Sequence, residues 1–380
     1  LRIMFPYLAL ISLVALAGGI QNTHQKFSLP ALTPVIFNLS LIVAALFIAP
    51  KYDMPIYVLA WSVLLAGLLQ LVIQIAPLRS IKRLPTPKIN FNNKGIKKFL
   101  VVIFPAILAG GIIQINLLVD TIFASLLETG SPTWLYVSDR LVQFPLGIFA
   151  IAIGTVLLPT LSKLDVIKER AIFNNTIKKG QKFVLFIGIP SLIGLIFCAE
   201  DLISTIFYRG AFTEVDVFKS SLSLIAFSIG LPFFMLMKVL TPAFFARKDT
   251  KTPMYVAIIS LILNASLNYL LAFVLNFGHV GIAIGSSIAA LISVLILEVI
   301  LYKDGFVKIQ GVINRFNIMI LFSSIALIIF LYFFTSNTNF MNFNQAQRFL
   351  FLIIEITISI FIYFSVSKLI YKKPLKTLFN

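Results

Sequence analysis

Along this chain, long apolar runs alternate with short polar connectors. Eleven runs can cross the roughly 30 Å of a bilayer's hydrocarbon; they lie near residues 3–20, 31–50, 55–76, 98–127, 133–160, 180–198, 219–245, 252–275, 279–302, 312–335 and 347–370. A backbone in hydrocarbon must satisfy its own polar groups, so runs of this length predict helices. The expected fold is an all-α integral membrane protein, a polytopic bundle of about eleven transmembrane helices.

Composition narrows the chemistry. Of 380 residues, 59% are hydrophobic and 12% charged, against about 25% charged in soluble domains. One cysteine, Cys198, excludes a disulfide framework or a Cys-based metal cluster. Two histidines, His24 and His279, leave little for a His-metal site or a Ser-His-Asp triad. The net charge of +17 is explained by where the charges lie. Connectors after runs one, three, five, seven, nine and eleven, with their flanking helix ends, hold 24 of the 31 Lys and Arg and four acids; the opposite face holds five basic residues and six acids. By the positive-inside rule the basic face is cytoplasmic, which places the N-terminus outside and the C-terminus inside. The excess then predicts contact with anionic phospholipid at the cytoplasmic face and no nucleic-acid partner.

Runs one to three resemble runs seven to nine at a constant offset of 223 residues, with a short basic connector leading to Pro30 in one copy and Pro253 in the other. The expected organisation is residues 1–78 as the last three spans of an N-terminal lobe, 79–97 as a basic cytoplasmic linker, 98–303 as a six-span C-terminal lobe, and 304–380 as two extra spans and a cytoplasmic tail. On this reading, and with Leu1 almost inside a span, three further spans are expected upstream. Parallel six-helix repeats are a transporter architecture, with substrate held between the halves.

Six ionisable residues fall within the runs: Asp120, Asp139, Arg140, Lys238, Glu298 and Glu355. Each costs about 2.5 kcal/mol or more at the bilayer centre unless it is paired, wet or used. Lys238 and Glu298 lie near the cytoplasmic ends and can snorkel. Glu355 is deeper, and the sequence offers it no evident partner. Asp139 and Arg140 lie about 10 Å into their helix from the outer face and point about 100° apart, so Arg140 must look elsewhere for a partner. A guanidinium there suits a phosphate, which it can grip with two parallel hydrogen bonds; a structural tie to a neighbouring helix is equally compatible with the residues. Asp120, Asn264 and Asn268 sit at similar depth, the two asparagines on one helix face. They outline either a small hard cation site or a hydrogen-bonded helix contact.

Longer stretches carry a resemblance. Gln114-Ile115-Asn116-Leu117-Leu118-Val119-Asp120-Thr121, Ser131-Pro132-Thr133-Trp134-Leu135-Tyr136-Val137-Ser138-Asp139-Arg140-Leu141, Gly154-Thr155-Val156-Leu157-Leu158-Pro159 and Thr241-Pro242-Ala243-Phe244-Phe245-Ala246-Arg247 resemble the MurJ (MviN) lipid II flippases, in register from about residue 2 to the last run. The resemblance implies a fourteen-span transporter of the MOP exporter superfamily in the bacterial inner membrane, a monomer and not an enzyme. Its implied substrate is lipid II, an undecaprenyl-diphosphate-linked disaccharide-pentapeptide moved from the cytoplasmic to the periplasmic leaflet. It places Arg140 on the family's cavity arginine for the diphosphate, with Asp139 and Ser138 beside it. It places Asp120, Asn264 and Asn268 on a sodium site of some members, the one cofactor to expect. Asn268 stands where an acid is common, and Gln143 where some members carry Glu. Two rivals stand beside this reading, apart from a non-transporting scaffold, for which a buried Arg140 and Asp120 would be a needless penalty. One is an exporter of another polyprenyl-linked glycan or a drug, against which the Ser138-Asp139-Arg140 context speaks. The other is a membrane glycosyltransferase, which would need a catalytic acid or base in a sizeable outer loop; residues 199–218 offer Glu200, Asp201, Glu214 and Asp216 without an evident constellation.

Overall fold

The computed structural model describes residues 2–24, 26, 28–81, 111–112, 114–166, 168–306, 314–338 and 340–371. Among them every regular element is a helix. In chain order these are α1 (Tyr7–Thr23), α2 (Ser28–Val43), α3 (Pro55–Ser80), α4 (residues 114–125), α5 (Ser131–Pro145), α6 (Ile151–Ser162), α7 (Arg170–Phe197), α8 (Ala199–Phe207), α9 (Glu214–Ala246), α10 (Lys251–Tyr269), α11 (Gly278–Lys303), α12 (Arg315–Asn337) and α13 (Gln345–Tyr371). One π-helical turn, Leu146–Ala150, joins α5 to α6 as a single span; others, Ala44–Ile48 and Leu270–Val274, extend α2 and α10. Nine helices among the described residues are long and apolar enough to cross a membrane. Two of the eleven expected spans differ. The first is α1, a shorter apolar helix. Residues 98–110 of the fourth, most of the expected 79–97 linker and the tail past Tyr371 lie outside the described residues. The short helix α8 was not expected.

The chain divides into two compact units, Leu1–Lys97 and Lys98–Asn380. In the first, α3 packs on both α1 and α2. Buried amides link them: Gln21 Nε2 donates to Gln74 Oε1 at 3.2 Å, and Gln70 Nε2 to the Thr33 carbonyl at 2.8 Å. Apolar burial gives helices no advantage over lipid, so such bonds and close packing hold them together.

In the second unit α9 and α11 are the most enclosed spans, and α5, α6, α7 and α8 also pack on α9. Small residues let α9 and α11 approach. Ser287 Oγ on α11 donates to the Ala226 carbonyl on α9 at 2.8 Å, and the Ser223 hydroxyl lies 2.7 Å from His279 Nδ1. The hairpin of α12 and α13 packs on α7 and α8, pinned by Tyr363 Oη donating to the Phe186 carbonyl at 3.0 Å.

The helix boundaries repeat. Thr23 and Ala246 end their helices 223 residues apart, and the pairs Ser28 and Lys251, Pro55 and Gly278, and Ser80 and Lys303 keep the same interval. As α3 packs on α1 and α2, α11 packs on α9 and α10.

Candidate functional site

The N-terminal end of α5 is fixed by Trp134. Its indole N–H donates to Asp216 Oδ1 on α9 at 2.7 Å, and its ring meets His279 of α11 edge-on at 4.9 Å. Spacing of three and four residues then sorts the helix into two faces. Ser131, Trp134, Leu135, Ser138 and Val142 are buried; Tyr136, Arg140 and Phe144 are exposed. Ser138 was expected beside the substrate. It lies instead within the α5–α9 packing, where its hydroxyl is bonded to the Trp134 and Ser220 carbonyls, each at 2.7 Å. Its one proton is taken by main chain, so it holds α5 in place and has no donor left for an anionic ligand.

Arg140 stands on the open face. Its guanidinium lies over the Tyr136 ring, 4.7 Å from the centroid, one turn earlier on the same helix. Among the described residues it makes no ion pair. It is therefore not the buried tie to another helix that the sequence left open. Asp139, half-buried beside it, accepts a hydrogen bond from Gln143 Nε2 at 3.3 Å. Trp134 and Ser138 fix the helix, and Tyr136 supports the guanidinium, so Arg140 presents a positioned cation with its fork of donors available.

Asp120 is within electrostatic reach of Asp139. Asn268 Nδ2 donates to Asp120 Oδ1 at 2.6 Å, and Asn116 Nδ2 lies 3.4 Å from Oδ2. Asn264, expected in the same cluster, turns to α11 and donates to Ser286 Oγ at 3.0 Å. The Asn268 oxygen also faces α11, so close that a Cβ on Gly285 would stand 2.5 Å from it. A sodium shell needs converging oxygens. Here the Asn268 amide N–H points at the carboxylate and the Asn264 amide N–H at Ser286, while both asparagine oxygens are buried without a hydrogen-bond partner. As arranged, the residues form polar contacts among α4, α10 and α11.

Two intramembrane acids have partners that sequence reasoning missed. Glu298 on α11 accepts from Gln181 Nε2 on α7 at 2.9 Å, and the Cys198 thiol donates to Glu355 Oε1 on α13 at 3.2 Å. The partners are 117 and 157 residues apart, so no local signal could have joined them. Beside Glu355, in α8, burial and then the charges of Glu355 and Glu200 push the Asp201 carboxyl up to about 8.

The family model described as lipid II flippase MurJ matches residues 1–352. A relative from Vibrio cholerae serotype O1, named "Probable lipid II flippase MurJ", is 42% identical over 305 residues, covering 80% of this chain and 58% of that protein. One from Burkholderia cenocepacia, named "Lipid II flippase MurJ", is 37% identical over 308 residues, covering 80% and 59%. The chain thus spans less than two thirds of the length of these relatives. A solved structure described as lipid II flippase MurJ in an inward closed conformation superposes with a TM-score of 0.77 at 30% identity, covering 97% of this chain and 73% of that one.

Proposed function

The chain belongs to the MurJ lipid II flippase family, and on that premise we propose that it moves lipid II from the cytoplasmic to the periplasmic leaflet of the bacterial inner membrane. It acts as a transporter and not as a catalyst, with its basic connectors in the cytoplasm. The observation that carries the reading is Arg140, a guanidinium on an open helix face, about 14 Å from the start of α5, with no ion pair among the described residues. A diphosphate is the part of the substrate that a planar, always-charged fork recognises. Asp139, held by Gln143, flanks the guanidinium and confines where a second anion can approach. Outward movement of the anionic head runs with an inside-negative potential, worth about 2.3 kcal/mol per charge per 100 mV.

The test reads lipid II binding and melting temperature on the same variants. Arg140→Ala is expected to weaken binding roughly ten- to hundredfold, the loss of a charge-assisted contact. Melting should barely move, because the side chain is exposed and, among the described residues, rests on the Tyr136 ring alone, worth about 0.5–1 kcal/mol. Arg140→Lys should recover little, since a single ammonium lacks the two-pronged geometry. Unchanged binding with a large loss of stability would make Arg140 a structural residue and remove the substrate assignment.

A further inference from the structure

At the basic end of the second unit, a cleft of about 1000 Å³ opens between α7, α11 and α12, with Leu236 of α9 at its base. One face of α7 forms its longest wall. From the helix start inward, Arg170, Asn174, Lys178 and Lys182 succeed one another at four-residue intervals, and Leu185 follows. On α11 the order from the same end is Tyr302, Glu298, Leu295. Both walls are polar at the helix ends and apolar deeper in.

The charges in the cleft are not balanced within it. Its one lining carboxylate, Glu298, accepts from Gln181. Arg170 is committed to the Asp304 carbonyl and the Phe306 ring. Lys178 and Lys182 make no ion pair among the described residues, and the Lys182 ammonium has only the ring of Phe316 at 5.5 Å.

Depth matches a lipid. The 28 residues of α7 span about 42 Å, so roughly 12 Å of it projects beyond the hydrocarbon. Counting from Arg170, Lys178 falls at about 12 Å and Lys182 at about 18 Å, within snorkelling reach of the boundary. Leu185, Leu236 and Leu295 lie below, level with acyl chains. We propose that this cleft binds the phosphate headgroup of an anionic phospholipid, with Lys178 and Lys182 on the phosphate and one acyl chain against the three leucines. The site is separate from Arg140 and does not depend on the flippase reading.

The experiment titrates the detergent-solubilised chain with fluorescent short-chain phosphatidylglycerol. Saturable binding is expected, and the double variant Lys178→Gln/Lys182→Gln should weaken it about tenfold or more. Lys178→Arg/Lys182→Arg should retain it, which separates lost charge from misfolding. Lys163→Gln/Lys168→Gln, two exposed lysines outside the cleft, should leave it unchanged. Inorganic phosphate at millimolar concentration should not compete, because it cannot use the apolar wall. Equal affinity for phosphatidylcholine, unchanged binding by the Lys178→Gln/Lys182→Gln variant, or full competition by phosphate would each overturn the proposal, the last by making the cleft a free-anion site.

Discussion

Gly281→Ala tests how tightly the lobe that carries Arg140 is held together. A Cβ at Gly281 would stand 2.7 Å from the Leu271 carbonyl carbon and the Ala272 nitrogen, and 3.0 Å from the Ala272 Cα. All three atoms are backbone, so no side chain can swing aside. Ordinary contact begins near 3.4 Å, so α11 must retreat from α10 by about 0.7 Å, a gap that forfeits a quarter to a half of each dispersion contact along the seam. Overpacking of this kind costs about 1–3 kcal/mol. The gain in helix propensity from Gly to Ala returns about 0.5–1 kcal/mol. The net expectation is a loss of about 0.5–2 kcal/mol and a melting temperature lower by a few degrees. Gly194→Ala, inside α7 of the same unit, is the internal control: nothing lies within 4 Å of its Cβ, so it should melt at or above the parent. Thermal unfolding of both variants in one detergent decides the matter. If Gly281→Ala melts together with Gly194→Ala, the close approach of α10 and α11 is wrong.

Asp120→Asn should lower the melting temperature slightly by removing the charge from its bond with Asn268. Exchanging sodium for choline should then shift parent and variant alike, whereas a sodium-dependent stabilisation lost only in Asp120→Asn would establish an ion site. Asp201 gives a pH dependence. Its folded carboxyl is raised to about 8, against about 4 unfolded, so the folded state holds the extra proton between those values. Stability should fall as pH rises from about 4 to about 8 and then level off. In Asp201→Asn that slope should flatten, and an unchanged profile in thermal unfolding across pH 5 to 8.5 would place the titration elsewhere.

Hydropathy and charge made the helices and the repeat legible, because length, apolarity and basic connectors are local properties of the sequence. Arg140 was legible as an anomaly, since an arginine inside an apolar run demands an explanation. The direction of each side chain was not. Lipid and protein interior are equally apolar, so a membrane helix carries little sequence contrast between its packed and lipid faces. Ser138 is adjacent to Asp139 and was read with it, yet one step along a helix turns about 100° and carried it into the α9 seam. Asn264 and Asn268 do share a face, but that face meets α11 as well as α4, and Ser286 took one of them. Glu355 seemed unpaired only because its partner enters from α7's end.

The π turns in α2 and α10 bear on how relatives should be aligned. In each, an amide reaches back five residues instead of four, from Ala49 to Ala44 and from Leu275 to Leu270. Each turn thus accommodates one residue more than an α-helix would, and a continuous helix in a bilayer has no loop into which that residue can be shed. A one-residue gap within 44–48 or 270–274 would therefore be a change of phase. Every side chain beyond it would turn by about 100° about the helix axis while the connector kept its length. Comparison of chains across these points should track helical angle as well as residue count, for a matched column past an unmatched bulge pairs a lipid-facing position with a packed one.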